Sequence, residues 1–267
     1  PNDDALATSI NEDSDWRHAL SLQGEYNLRS KHDFFAMRTG YSFYATKQNE
    51  IGFYNVQSHD ASLQPAWSFS KITVAFPLHY NYVVVDDKQY LDTTGMSVLV
   101  NKMQTSRDML QTQFQYNIKN FHWPASFDDE NRDSREYVWS AGWYYFFTKK
   151  QDGYAHIRYA ANFDDAKGDN WKYWGNRLTA SVVVPLLQKV SWTVVGDYFR
   201  QEFLKENHSV YRKERHNDVY TFSNLLAYRP VENLEVQFQH TFVYDGASIG
   251  VYKYKKNVYG VGVKYYF

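Results

Sequence analysis

The sequence predicts an all-β chain folded as an antiparallel up-and-down transmembrane β-barrel of about 14 strands, 13 visible in these residues and 12 the alternative. Three observations carry that expectation. Apolar and polar side chains alternate with period two over most of the 267 residues, the spacing that sends successive side chains to opposite faces of a strand. The alternating segments are about 12 to 15 residues long, roughly twice an ordinary globular strand and the length of a tilted bilayer-crossing strand that extends into its loops. Short and long connections take turns, as in a meander whose two ends differ.

The first segment, 16–28, sets Leu20, Leu22, Tyr26 and Leu28 against Arg17, Ser21, Gln23, Glu25 and Asn27. Segments at 33–46 and 58–69 follow, and 71–85 opposes Ile72, Val74, Phe76, Leu78, Tyr80 and Tyr82 to Thr73, His79 and Asn81. After 93–104, the segment 109–121 interleaves Leu110, Thr112, Phe114, Tyr116 and Ile118 with Gln111, Gln113, Gln115, Asn117 and Lys119. Then come 135–148 and 153–164, the latter with Ala155, Ile157, Tyr159, Ala161 and Phe163 against His156, Arg158, Asn162 and Asp164. Segments 173–186, 189–203 and 216–229 lead to 232–245, where Leu234, Val236, Phe238, His240, Phe242 and Tyr244 oppose Glu235, Gln237, Gln239 and Thr241. The last, 254–267, alternates Tyr259, Val261, Val263, Tyr265 and Phe267 with Gly260, Gly262, Lys264 and Tyr266. No segment reads as a helix.

Short turns are expected at Arg29–Asp33, Ser70–Lys71, Thr105–Asp108, Lys149–Gly153, Leu187–Gln188 and Pro230–Val231, all at one end. Longer polar loops at 47–57, 86–92, 122–134, 165–172, 204–215 and 246–253 fall at the other, and the final strand runs toward the short-turn end. The domain division is an N-terminal loop segment at 1–15 and a barrel at 16–267.

Composition excludes several classes. Aromatics at 19% (24 Tyr, 18 Phe, 8 Trp) with 22% charged residues exclude a disordered chain. Twenty-nine Lys and Arg against 30 Asp and Glu give a net charge of −1, which recommends neither a nucleic-acid partner nor a polybasic membrane patch. The absence of Cys excludes thiolate zinc sites, disulfides and cysteine nucleophiles. Apolar runs such as Val182–Leu187 and Val83–Val85 fall far short of the roughly 20 residues of a spanning helix. The residues from Pro1 onward show no charged-then-apolar leader, so if the protein is secreted, its signal peptide is expected to be gone already.

A soluble β-sandwich also alternates. Its interior would be filled by Val, Ile and Leu, whereas the second face here is Gln, Asn, Ser, Arg and Glu, the character of a watered lumen. The apolar face then looks into lipid, and closure pairs every backbone group. Aromatics near strand ends (Tyr26, Phe35, Phe69, Tyr90, Phe147, Trp174, Trp192, Tyr228, Tyr244, Tyr265 and Phe267) fit two interfacial girdles.

The ending Tyr259-Gly-Val-Gly-Val-Lys-Tyr-Tyr-Phe267 resembles the C-terminal signature of Gram-negative outer-membrane proteins, recognised by their insertion machinery, with Tyr265 and Phe267 as its aromatic positions. Arg215, Asp218, Tyr220, Tyr228-Arg-Pro230 and Tyr252-Lys-Tyr254-Lys-Lys-Asn257-Val-Tyr259-Gly resemble the barrels that follow tetratricopeptide repeats in outer-membrane export proteins, such as the surface lipoprotein assembly modifiers. That resemblance implies a bacterial outer-membrane location, a periplasmic repeat domain as partner and an exported substrate. No repeat domain is present in these residues.

Single-chain bacterial barrels have even strand counts and thirteen is odd. With the last strand descending, 16–28 descends as well, and the acidic residues 1–15 read as a long-side loop. The expectation is a fragment lacking an N-terminal strand, with 14 strands in the intact barrel; merging weak segments near 58–104 would leave 12.

By parity the inward positions include Arg17, Glu25, Arg38, His79, Lys119, His156, Arg158, Arg177, Asp197, Glu235 and Lys264, expected to line the lumen. Both signs are present, so no strong ion selectivity follows; the same charges could equally pair across strands and hold the wall. Outer-membrane barrel enzymes pair a His with a Ser or Asp near the rim. His240 and His18 fall on the apolar face, and His240 lies roughly across from Asn257 with no Ser in its row, so the chain is not expected to be an enzyme. His208, Glu214, His216 and Asp218, or His122 with Asp128, Asp129 and Glu130, could bind a divalent ion, though such loops are more often solvated, and neither metal nor other cofactor is expected. The leading expectation is an outer-membrane translocation or export conduit, the membrane domain of a larger export protein; a passive porin for small hydrophilic solutes and a structural or adhesive barrel are the alternatives.

Overall fold

Successive rows of the sheet follow the chain and pair antiparallel, so the topology is a simple meander. The computed structural model describes residues 15–29, 34–50, 55–207 and 212–267. Within them run β1 (Arg17–Arg29), β2 (Phe35–Gln48), β3 (Val56–Phe69), β4 (Ile72–Ala75), β5 (Leu78–Val85), β6 (Lys88–Met103) and β7 (Asp108–Phe121). They continue as β8 (Ser134–Phe146), β9 (Tyr154–Ala166), β10 (Tyr173–Leu187), β11 (Val190–Asn207), β12 (Lys213–Val231), β13 (Leu234–Asp245) and β14 (Tyr254–Tyr265). The expected N-terminal loop 1–15 falls almost wholly outside the described residues, as do His208 and parts of the loops at 29–33 and 47–57.

The fourteen strands occupy thirteen rows, because β4 and β5 share one row between β3 and β6. The expected single strand 71–85 is interrupted at Phe76-Pro77, where proline has no N–H to give the ladder. Phe76 N–H still donates to Pro65 O at 2.9 Å, and Pro77 O accepts from Ser97 N–H at 2.8 Å, so the row is not severed. The segments near 58–104 remain separate rows, which removes the twelve-strand alternative. A second correction falls at 86–92, expected as a long loop. Asp86 and Asp87 both take positive φ (52° and 58°), the two-residue turn whose twist matches a hairpin, so β6 begins at Lys88. At 204–215 the ladder continues instead of breaking, with Asn207 paired to Lys213.

The two faces differ as the alternation predicts. Leu110, Phe114 and Ile118 of β7 are exposed, and Val98 and Trp139 beside Phe114, with Trp143 beside Leu110, carry the apolar band onward. Toward the long-loop end a run of rings crosses the same face. Tyr116–Tyr137, Tyr137–Phe163 and Phe163–Trp174 have centroids 5.1, 6.5 and 4.6 Å apart, and Tyr198–Tyr220–Tyr244 forms a second run at 5.0 and 6.3 Å. The opposite face is polar and concave. Lys119 of β7 reaches across β8 to Asp164 of β9 at 2.8 Å, yet rows two apart are separated by about 9.5 Å along a flat sheet.

Among the described residues no pairing joins β1 to β14, and both remain edges. Residues 17–28 are exposed on both faces, as are 261–267.

Candidate functional site

The candidate site is the polar concave face and its mouth at the long-loop end. All eleven residues expected inside lie on that face by register. Lys119 is held between Glu136 (3.1 Å) and Asp164 (2.8 Å), and Asn117 donates to Glu136 at 2.8 Å. Arg158 donates to Ser140 Oγ at 3.0 Å, and His156 stacks on Tyr144 at 4.0 Å. Thr179 donates to Asp197 at 2.6 Å, while Arg177 lies 3.6 Å from the same carboxylate and covers the Phe199 ring at 4.3 Å. Near the short-turn end Glu235 accepts from Arg229 at 2.7 Å and from Gln237 at 2.6 Å; its lateral neighbour is Lys264. Arg38 donates to Asn27 at 3.2 Å, and Glu25 accepts from Gln23 at 3.3 Å. Arg17 pairs laterally with Gln48.

His79 is accommodated by a glycine. A Cβ on its lateral partner Gly95 would lie 2.0 Å from the imidazole and 2.4 Å from the Asn117 amide oxygen, so both side chains use the space that Gly95 leaves. Most of these charges therefore have partners within the wall. The lining is a cross-linked polar surface that carries both signs.

The mouth carries a feature that the alternation did not announce. Loop 122–133 and loop 167–172 each contain a short 3-10 turn (Asp128–Glu130 and Asp169–Trp171), and a third, Gly250–Tyr252, lies in the loop before β14. Glu130 accepts from Asn170 Nδ2 and Trp171 Nε1, both at 3.0 Å, joining the first two loops. The Trp171 and Tyr252 rings approach to 6.4 Å, joining the second loop to the third. Those loops are four rows apart, roughly 19 Å along the wall, so they meet only by leaning over the concave side.

Arg215 ties the cluster to the wall. It is 7% exposed, on the inward parity of β12, with its guanidinium over Tyr252 (3.6 Å), Phe203 (4.2 Å) and Trp171 (5.4 Å). Its Nε donates to Asn217 Oδ1 at 2.9 Å, and Asn217 Nδ2 donates to Asp245 at 3.1 Å. These residues form an aromatic-cationic cap on the inner side of the mouth. The long reach of β11 and β12, 18 and 19 residues, supplies its scaffold.

Other candidates are dispersed. His122 bonds Asp92 and Gln89, whereas Glu130 of the same loop faces the cap. His216 faces outward opposite Glu202, and Glu214 pairs laterally with Glu206. His240 lies on the outward face, with Asn224 and Tyr259 as lateral partners; its ring stacks on Tyr259 at 4.7 Å and its Nε2 is 3.2 Å from Asn257 Oδ1. Tyr265 and Phe267 contact each other at 5.0 Å on the short-turn side.

No protein-family model matches the sequence, and no curated protein matches it. A loop-deletion mutant of OmpT, an outer membrane protein of Vibrio cholerae, is similar in structure at 10% identity, with a TM-score of 0.54 over 96% of this chain and 100% of that one. In-vitro folded OmpT gives 0.51 at 10% identity over 97% and 99%. The NanC porin gives 0.44 at 11% identity over 92% and 99%. The two OmpT structures bear on the fold, which is that of bacterial outer-membrane β-barrels.

Proposed function

We propose that the protein is an integral barrel of the bacterial outer membrane that passes hydrophilic solutes through a polar lumen, with a mouth narrowed by the loop cap. One observation carries this reading: a wall whose outward side chains are apolar and aromatic encloses an inward face of Gln, Asn, Ser, Lys and Arg, the arrangement that lipid outside and water inside require. Passage rather than turnover is the proposed activity, since His240 has amide and ring neighbours on the lipid side in place of a nucleophile. The narrower export reading, the membrane half of a larger export protein with a periplasmic repeat domain, is favoured by the likeness at 215–267 to such barrels. Its partners would be the lipid bilayer, the insertion machinery and the exported substrate.

Planar-bilayer recording of the protein extracted from its membrane tests the proposal. Discrete conductance steps are expected, larger in Arg215→Ala, which removes the contact holding three rings together. Silence from both proteins would refute a pore.

A further inference from the structure

We propose that the lipid-facing side of the wall carries a seat for one lipid of the membrane's outer leaflet, an acylated, phosphorylated disaccharide whose chains lie in a groove across β3 to β7 and whose phosphate meets Arg135. The proposal rests on the outer-membrane fold and is independent of what crosses the lumen.

The relief of the outward face is the first argument. One lateral row, Tyr41–Ala61–Tyr80–Thr94–Ile118–Arg135, crosses six strands on that face and alternates large side chains with small ones. Each small residue is the floor of a hollow. Around Ala61 the space is about 410 Å³, walled by Tyr41, His59, Tyr80 and Tyr82. Around Thr94 it is about 460 Å³, walled by Leu78, Met96, Tyr116 and Ile118. The Tyr80 ring stands between the two, so the groove has two lobes, the shape that neighbouring hydrocarbon chains fill with dispersion contacts on both sides.

The slope of the row is the second. Ala61 is sixth of the 14 residues of β3 and Thr94 seventh of the 16 of β6, both counted from the long-loop end and so near mid-wall. Ile118 is fourth from that end of β7, and Arg135 is the second residue of β8. The row therefore climbs from the hydrocarbon core to the rim. Long loops of such barrels are extracellular, which places the groove in the outer leaflet. The lipid of that leaflet carries several acyl chains on a phosphorylated disaccharide.

Charge at the upper end is the third. Arg135 is exposed on the outward face, one row of about 4.8 Å beyond Ile118. Its lateral neighbour Asp165 is bonded to Lys172 at 2.8 Å, and among the described residues the Arg135 guanidinium has no ion-pair partner. A planar, permanently charged fork at headgroup level, above an apolar groove, is the donor set that a phosphate oxygen pair accepts from.

Native mass spectrometry of the protein extracted from its membrane into detergent, titrated with bis-phosphorylated lipid A or with phosphatidylglycerol, tests the seat. One retained lipid A is expected, bound more tightly than phosphatidylglycerol. Arg135→Gln, which leaves the packing of the wall untouched, should weaken retention about tenfold, the worth of one charge-assisted contact. Dephosphorylated lipid A should bind this variant and the unaltered protein alike. Thr94→Trp fills the larger hollow and should abolish retention, whereas Val182→Trp, outward on β10 and away from the groove, should leave it intact. Unchanged retention in both Arg135→Gln and Thr94→Trp would overturn the seat, and equal retention of phosphatidylglycerol would overturn the choice of lipid. A protein dimer that Thr94→Trp dissociates, with no lipid retained, would give the groove to a second copy and overturn the proposal.

Discussion

Replacing Phe114 by Arg, with Gln113→Arg as its control, separates the two faces of one strand by a single residue. Phe114 stands seventh of the 14 residues of β7, flanked laterally by Val98 and Trp139, and 49% exposed on the apolar side. That height is close to the bilayer midplane, where Arg on a lipid-facing position costs about 2–4 kcal/mol. Gln113 faces the lumen, and its amide donates to Ser97 Oγ at 3.2 Å. Its replacement forfeits about 1 kcal/mol for that hydrogen bond and places the guanidinium in water among Gln111 and Gln115. The gap of about 1–3 kcal/mol corresponds to roughly five- to 150-fold in the folded-to-unfolded ratio. Denaturant titration of the protein folded into phospholipid vesicles, followed by tryptophan fluorescence, reads it. Equal penalties, or a larger one at 113, would refute the assignment of the faces.

Lys119→Met strands the Glu136 and Asp164 carboxylates and should cost about 3 kcal/mol, while adding Glu136→Gln and Asp164→Asn should recover most of it in the same titration. Gly95→Ala forces a Cβ into the His79 ring and should cost about 1–3 kcal/mol by overpacking, relieved when His79→Ala is added.

The wall was legible because the alternation of a half-wetted strand is a local property: Leu110 to Lys119 announces both faces without knowledge of any neighbour. Interruptions were less legible. Pro77 falls inside an unbroken alternation, and only the missing N–H distinguishes it. Asp86-Asp87 makes a tight turn without the glycine that usually signals one, so the polar residues after it read as loop. The cap was hidden for a different reason. Trp171, Arg215 and Tyr252 come from three connections far apart in sequence, and nothing local says that a guanidinium at 215 will lie among rings from 171, 203 and 252. The one available signal was Arg215 itself, a charge on the inward parity of a segment whose polar composition reads as loop. The odd number of rows was legible, since counting rows needs only sequence, while the unpaired edges of β1 and β14 among the described residues needed the structure.

Single cysteines placed one at a time from 110 to 119 in this cysteine-free chain, with the protein in lipid vesicles, test the two faces most directly. Labelling by a membrane-impermeant charged thiol reagent should be high at 111, 113, 115, 117 and 119 and low at the even positions between them. The opposite phase, or shielding of both sets, would mean that water does not fill the inside of this wall.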